Sequence, residues 1–249
     1  MSSLERVSLT KLRNSERLYT KVTNEVLAPY GKEMTWEVRL TLPIFFMKVP
    51  THFSGQIKAT VMGRPAHDAA AHLIAATQIP LTVDELLAKM DVGLDKAFRT
   101  VEPLPGVVRL VQHLEKHNIP MAIATGSKKK NFDIKSAHLP HLFGPFTNNI
   151  LCGDDPILEG KGKPDPTIFI EAAKMLGITT PEQRSRVLVF EDGAPGVRAA
   201  RAAGMEVVWV PDPELLKTLG ENHDLNPSQQ HASMEHFEPE LWGLPPYDA

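Results

Sequence analysis

The chain of 249 residues suits one large domain or two modest ones and can bury a substantial core. Its formal net charge of −3 offers no basic excess for a nucleic acid, and its single cysteine, Cys152, excludes an internal disulfide framework and fits a reducing compartment. The first residues lack the apolar stretch of a signal peptide, and the most apolar run, Leu40–Met47, contains Pro43 and falls short of the ~18 residues that a membrane span needs, so a cytoplasmic protein with no membrane partner is expected.

Met1–Arg13 is polar and irregular, and the alternation in Arg6–Thr10, with Val7 and Leu9 apolar, fits only a half-buried strand. Asn14 is placed to cap a helix over Ser15–Ala28, in which Leu18, Val22, Val26 and Leu27 keep helical spacing and which Pro29, Tyr30 and Gly31 end. Thr35–Arg39 reads as a short helix. Leu40–Ile57 has two prolines, three phenylalanines and no period, as in a strand pair or an inserted loop. A helix is expected over Ala66–Gln78, with Ala70, Leu73, Ile74 and Thr77 on one side. Thr82 and Glu85 then form a capping box that opens a helix running to about Arg99. Residues 15–100 are therefore largely helical.

From Glu102 helices and strands alternate. Helix Gly106–Asn118, strand Ile119–Ala124, helix Lys128–His138, strand Asn149–Cys152 and helix Thr167–Leu176 come first. Then follow strand Val187–Phe190, a turn built on Gly193, Pro195 and Gly196, helix Val197–Ala203 closed by Gly204, and strand Met205–Val210. Repeated strand–helix units imply an α/β fold: a Rossmann-like parallel sheet with helices on both faces. The tail from Leu219 is polar, with His236–Leu244 as a short docked segment.

Three polar groups follow strands or enter a helix. Thr125, Gly126 and Ser127 follow one strand, Lys163 lies in the loop Lys161–Pro166, and Glu191 and Asp192 follow another strand. The C-terminal strand edge of one sheet would bring them together, which is where open α/β sheets bind ligands. The Thr125 hydroxyl and the amides of Gly126 and Ser127 could donate to phosphoryl oxygens, Lys163 could neutralise their charge, and Glu191 and Asp192 could hold Mg²⁺ through hard oxygens. Asp154 and Asp155 read as a turn rather than a metal site.

The stretches IATGS at 123–127, GKPDP at 162–166 and VFEDGAPGV at 189–197 resemble, in order and separation, the second to fourth motifs of the haloacid dehalogenase (HAD) superfamily of phosphohydrolases. SERLYTKVTNEVLAPYG, MGRPAHDAA, GDDP, VPDP and GLPPYD resemble its pseudouridine-5′-phosphatase-like group. The resemblance implies a HAD-like core over 101–249, an α-helical cap over 15–100 with an insertion at 40–57, and a small phosphate monoester as substrate. It further implies Thr125 and Lys163 as catalytic phosphate-binding residues and Asp192 with Glu191 as Mg²⁺ ligands; a monomer is expected.

One motif departs from this pattern. The family's first motif, an apolar strand ending in Asp-x-Asp-Gly, carries the nucleophile and the general acid/base. Counting back from Ser15-Glu16-Arg17, Val7 and Leu9 stand in those two places and Thr10 at the glycine. Neither side chain can attack phosphorus or carry a proton. The central strand itself is expected to be missing, with residues 1–14 in its place, and the Mg²⁺ site to be weakened. The expected function is a HAD-like phosphatase with impaired turnover. The alternatives are a non-catalytic phosphate-binding protein or a mis-annotated gene product, from a gene model with a wrong first exon and a retained intron.

Overall fold

The computed structural model describes residues 6–9, 15–34, 66–220 and 223–248. Six parallel strands form one sheet in the order β3-β2-β1-β4-β5-β6. They are β1 (Arg6–Leu9), β2 (Met121–Thr125), β3 (Ile150–Cys152), β4 (Val187–Glu191), β5 (Glu206–Trp209) and β6 (Gln229–Gln230). The helices are α1 (Ser15–Leu27), α2 (Ala66–Thr77), α3 (Val83–Phe98), α4 (Val107–Lys116) and α5 (Lys129–Ser136), then α6 (Pro140–Phe143), α7 (Thr167–Met175), α8 (Pro181–Arg184), α9 (Ala194–Ala202) and α10 (Pro213–Leu219). The α/β, Rossmann-like arrangement expected from the alternating pattern is therefore present.

Both faces of the sheet are covered, as parallel sheets require. On one face Val7, Met121, Ile123, Leu188 and Phe190 pack with Val107, Leu110 and Leu114 of α4 and with Phe237 of the C-terminal segment. On the other, Ala122, Ala124, Val189 and Val207 pack with Phe169 and Ala172 of α7 and Val197 and Ala200 of α9. The buried strands are the continuous apolar runs that made them legible in sequence. The docked segment expected at His236–Leu244 is seen as two short 3-10 turns that bury Phe237 and Leu244.

α1, α2 and α3 form a separate helical block. Leu27, Ala70, Leu73 and Leu86 make one of its cores, and Val22, Leu94 and Phe98 another, which Ile134 of α5 joins to the α/β part. The capping box on α3 has both arms: Thr82 Oγ1 accepts from the Glu85 amide at 3.3 Å, and Glu85 Oε2 accepts from the Thr82 amide at 2.8 Å. None of the helices among the described residues is long and apolar enough to cross a membrane. Asn14, the expected helix at Thr35–Arg39 and the insertion at Leu40–Ile57 lie outside the described residues.

Two expectations are corrected. The central strand is not missing: Arg6–Leu9 forms it, paired in parallel with β2 and β4, and Val7 and Ser8 are both buried rather than half-buried. A parallel ladder is made by backbone groups, which every residue here supplies, and Ser8 is small enough to lie between its register partners Ala122 and Val189. The second correction concerns α9, which begins at Ala194 and not Val197, so Pro195 and Gly196 belong to its first turn. Proline suits that position because its missing N–H is one of the unpaired donors of a helix start. The closure by Gly204 is as expected: at φ 77° it lets the Met205 amide reach the Ala200 carbonyl at 3.1 Å.

Candidate active site

β2 ends on Thr125, and the turn that follows folds back on itself. Thr125 Oγ1 accepts from the Ser127 amide at 3.1 Å, so that amide, read from sequence as a phosphate donor, is engaged inside the turn. The turn after β3 supports it from the side. The Gly153 amide donates to the Ser127 carbonyl at 3.0 Å, and Gly153 lies so close to Gly126 that any Cβ would overlap the Gly126 carbonyl. Asp154 and Asp155 are caps, as a turn reading requires. Asp154 Oδ1 accepts from the Lys129 amide at the start of α5 at 2.7 Å, and Asp155 Oδ1 from the Ile157 amide at 3.1 Å.

Lys163 joins two strand ends. Its Nζ donates to the Ala124 carbonyl, one residue before Thr125, at 3.3 Å, and forms an ion pair with Glu191 Oε1 at the end of β4. It also lies 4.8 Å from the centroid of the Phe169 ring. The Glu191 side chain is 4% exposed and that of Lys163 16%, so the pair is largely removed from water and is screened little. Glu191 Oε2 accepts from the amides of Asp192 and Gly193 at 3.0 and 3.3 Å. Gly196, in the first turn of α9, leaves the space that this carboxylate fills, since a Cβ there would overlap it.

Asp192 is held by its own backbone. The indole N–H of the fully buried Trp209 donates to the Asp192 carbonyl at 2.8 Å. Sequence reasoning missed both supports. The signal for Gly196 was there, because a glycine in a helix is unfavourable without a packing reason. Nothing in the chain order marks Trp209, which reaches Asp192 only across the β4–β5 pair.

The structure thus brings Thr125, Gly126, Ser127, Lys163, Glu191 and Asp192 to one edge. It does not bring Val7 or Leu9 there. Leu9 pairs with Ile123 and Phe190, two residues short of Thr125 and one short of Glu191. Val7 pairs with Met121 and Leu188, which sets it roughly 13 Å below Thr125 at the rise of a parallel strand, and its side chain is part of the core.

The family resemblance implies a Mg²⁺ ion held by Asp192 with Glu191, and of these two Glu191 is already engaged. Glu191 has one oxygen on the Lys163 ammonium and the other on two amides. Among the described residues no group of three His, Cys, Asp or Glu side chains is placed to hold a metal ion. The arrangement offers a fixed ammonium and a hydroxyl-bearing turn, which suits an oxyanion.

The sequence profile of the haloacid dehalogenase-like hydrolases matches residues 12–204. The chain is 35% identical over 239 residues to (DL)-glycerol-3-phosphatase 2 of Arabidopsis thaliana, covering 95% of this chain and 89% of that one. It is also 35% identical over 239 residues to a probable pseudouridine-5′-phosphatase of Saccharomyces cerevisiae, covering 94% and 93%. Among solved structures, a HAD family hydrolase from Deinococcus radiodurans with bound phosphate and sodium superposes with a TM-score of 0.68 at 20% identity, over 99% of this chain and 100% of that one. The fold is shared with it.

Proposed function

The chain belongs to the haloacid dehalogenase-like hydrolase family, and on that premise we propose that it binds a small phosphate monoester at the C-terminal edge of the sheet and does not turn it over. The substrate class is the one named for its relatives, a phosphorylated nucleoside or polyol, in a monomeric cytoplasmic protein with no nucleic-acid partner. The observation that carries the reading is Lys163, whose ammonium spans from the end of β2 to Glu191 at the end of β4. Thr125 supplies the hydroxyl and Gly126 an amide to the phosphoryl oxygens, with Ser127 shaping the turn. Lys163 supplies charge, and the helical block of α1 to α3 closes over the ester as a cap.

What is lacking is a carboxylate on β1. Hydrolysis in this family's manner needs one acid to attack phosphorus and a second to move the proton, and Val7 and Leu9 supply neither. A positioned acid/base alone is worth about 10²–10⁴-fold in rate.

The test pairs calorimetric titration of the whole chain with phosphate against an assay of phosphate release from pseudouridine-5′-phosphate and glycerol-3-phosphate with Mg²⁺ present. Binding that Lys163→Ala abolishes, without release, is the expected result. Robust release by the unaltered chain, lost in Asp192→Asn, would overturn it and mean that another carboxylate acts as nucleophile.

A further inference from the structure

Lys135, in the last turn of α5, has a long flexible cationic side chain, yet the residue is only 6% exposed. Its Nζ donates to Ser127 Oγ at 3.1 Å, inside the turn that follows β2. The same ammonium lies 4.0 Å from the centroid of the Phe98 ring and 5.4 Å from that of Tyr19. Those two rings meet edge to face at 5.5 Å, and they come from α3 and α1. One cation therefore touches the α/β core on one side and both long helices of the helical block on the other.

Burying an ammonium is unfavourable by several kcal/mol unless polar and aromatic partners replace water. A leucine or methionine would be buried against Phe98 without that penalty, so packing alone does not explain a lysine here. In its described contacts the lysine supplies a charged donor to Ser127 and a cation for the two rings, an attraction that grows when the site is dry.

We propose that Lys135 is a positioning residue that couples the phosphate-binding turn to the helical block, so that an oxyanion on the turn and the seating of α1 and α3 on the core strengthen each other. The proposal rests on the reading of Thr125–Ser127 as the phosphate turn. Coupling of this kind is reciprocal: if the seated block favours phosphate, phosphate must favour the seated block to the same degree. Lys135 acts through Ser127 and the rings.

The experiment uses the whole chain with inorganic phosphate as probe. Calorimetry gives the affinity, and hydrogen exchange of the α1 and α3 amides is followed with and without phosphate. In the parent, phosphate should slow exchange in α1 and α3. In Lys135→Met the affinity should fall about fivefold to tenfold, as for removal of one charge-assisted hydrogen bond that acts through an intermediary, and the slowing should vanish. Lys135→Arg, which keeps the charge and the ring contacts, should recover most of both. A role in packing alone would lower the melting temperature of Lys135→Met and leave affinity and phosphate-dependent exchange as in the parent, and that result overturns the proposal.

If Lys135→Met does not fold, Phe98→Leu serves instead. It keeps the cation and removes the closer ring, so phosphate should no longer protect α1, and full protection there overturns the coupling. Lys163→Ala separates the two readings. Phosphate binding lost in Lys163→Ala but intact in Lys135→Met upholds the site and sinks the coupling, whereas a parent that takes up no phosphate sinks both.

Discussion

β1 and β4 are parallel neighbours in the middle of the sheet, and they end differently. β4 ends on Glu191, whose carboxylate is gripped by Lys163 and two amides and accommodated by Gly196. β1 ends on Leu9, level with Phe190, and presents no acid. The comparison separates two properties of a strand in an enzyme core. Its place in the sheet depends on backbone ladders and on side chains small or apolar enough to bury, as Ser8 and Val7 are. Its chemistry depends on one or two particular side chains at its tip, which can be absent while the place is kept.

The largest effect is expected from Val7→Asp. If Val7 lies in the core beside Met121 and Leu188, an aspartate there is a carboxylate buried among apolar side chains, and stability should fall by ~3 kcal/mol or more. Urea unfolding measures the loss, and no phosphatase activity should accompany it. A Val7→Asp protein of parental stability that releases phosphate would place position 7 at the edge after all.

A smaller effect tests the β4 side. Gly196→Ala forces a methyl group against the Glu191 carboxylate, which cannot retreat without leaving Lys163 or the Asp192 and Gly193 amides. Overpacking of this kind typically destabilises by ~1–3 kcal/mol, and phosphate affinity should fall with it. Thermal unfolding unchanged by the substitution would show that the carboxylate is not held where α9 begins.

The smallest effect lies at a third strand end. Cys152 pairs in register with Thr125, and burial, followed by the nearby Asp154 carboxylate, pushes its thiol from 9.0 up to about 11. The native thiol should therefore resist alkylation at pH 8, while one equivalent reacts in urea. The sign for stability follows from which state loses its proton first. The unfolded chain ionises near 9.0 and the folded one near 11, so this contribution is intact below pH 9 and declines as pH rises across that window. Rapid alkylation of the folded protein at pH 8 would mean that the end of β3 is open.

Much of this was legible beforehand because it is local. The apolar runs MAIA and VLVF are strands buried on both faces, the Thr82–Glu85 spacing is a complete capping box, and Gly204 closes α9. The turn residues Thr125, Gly126 and Ser127, with Lys163, Glu191 and Asp192, could be assigned to one edge because strand polarity in a parallel sheet puts every strand end on the same side. The helix Pro213–Leu219 was readable but unread: Asp212 caps it, accepting from the Glu214 amide at 2.9 Å, and Pro213 opens it.

The alternation of strands and helices, the helical stretch ahead of them, the polar strand ends and the absence of acids at positions 7 and 9 are all properties of neighbouring residues or of strand direction, and so can be read from the chain order. It takes the assembled fold to make Arg6–Leu9 a central strand, to sink Val7 among core side chains and to set Lys163 on Glu191. The same assembly sets Trp209 on the Asp192 carbonyl and Lys135 between Ser127 and two rings of the helical block. Most of these contacts join residues far apart in the chain, and ladder pairing and desolvation select them only once the sheet has assembled, so no local pattern encodes them.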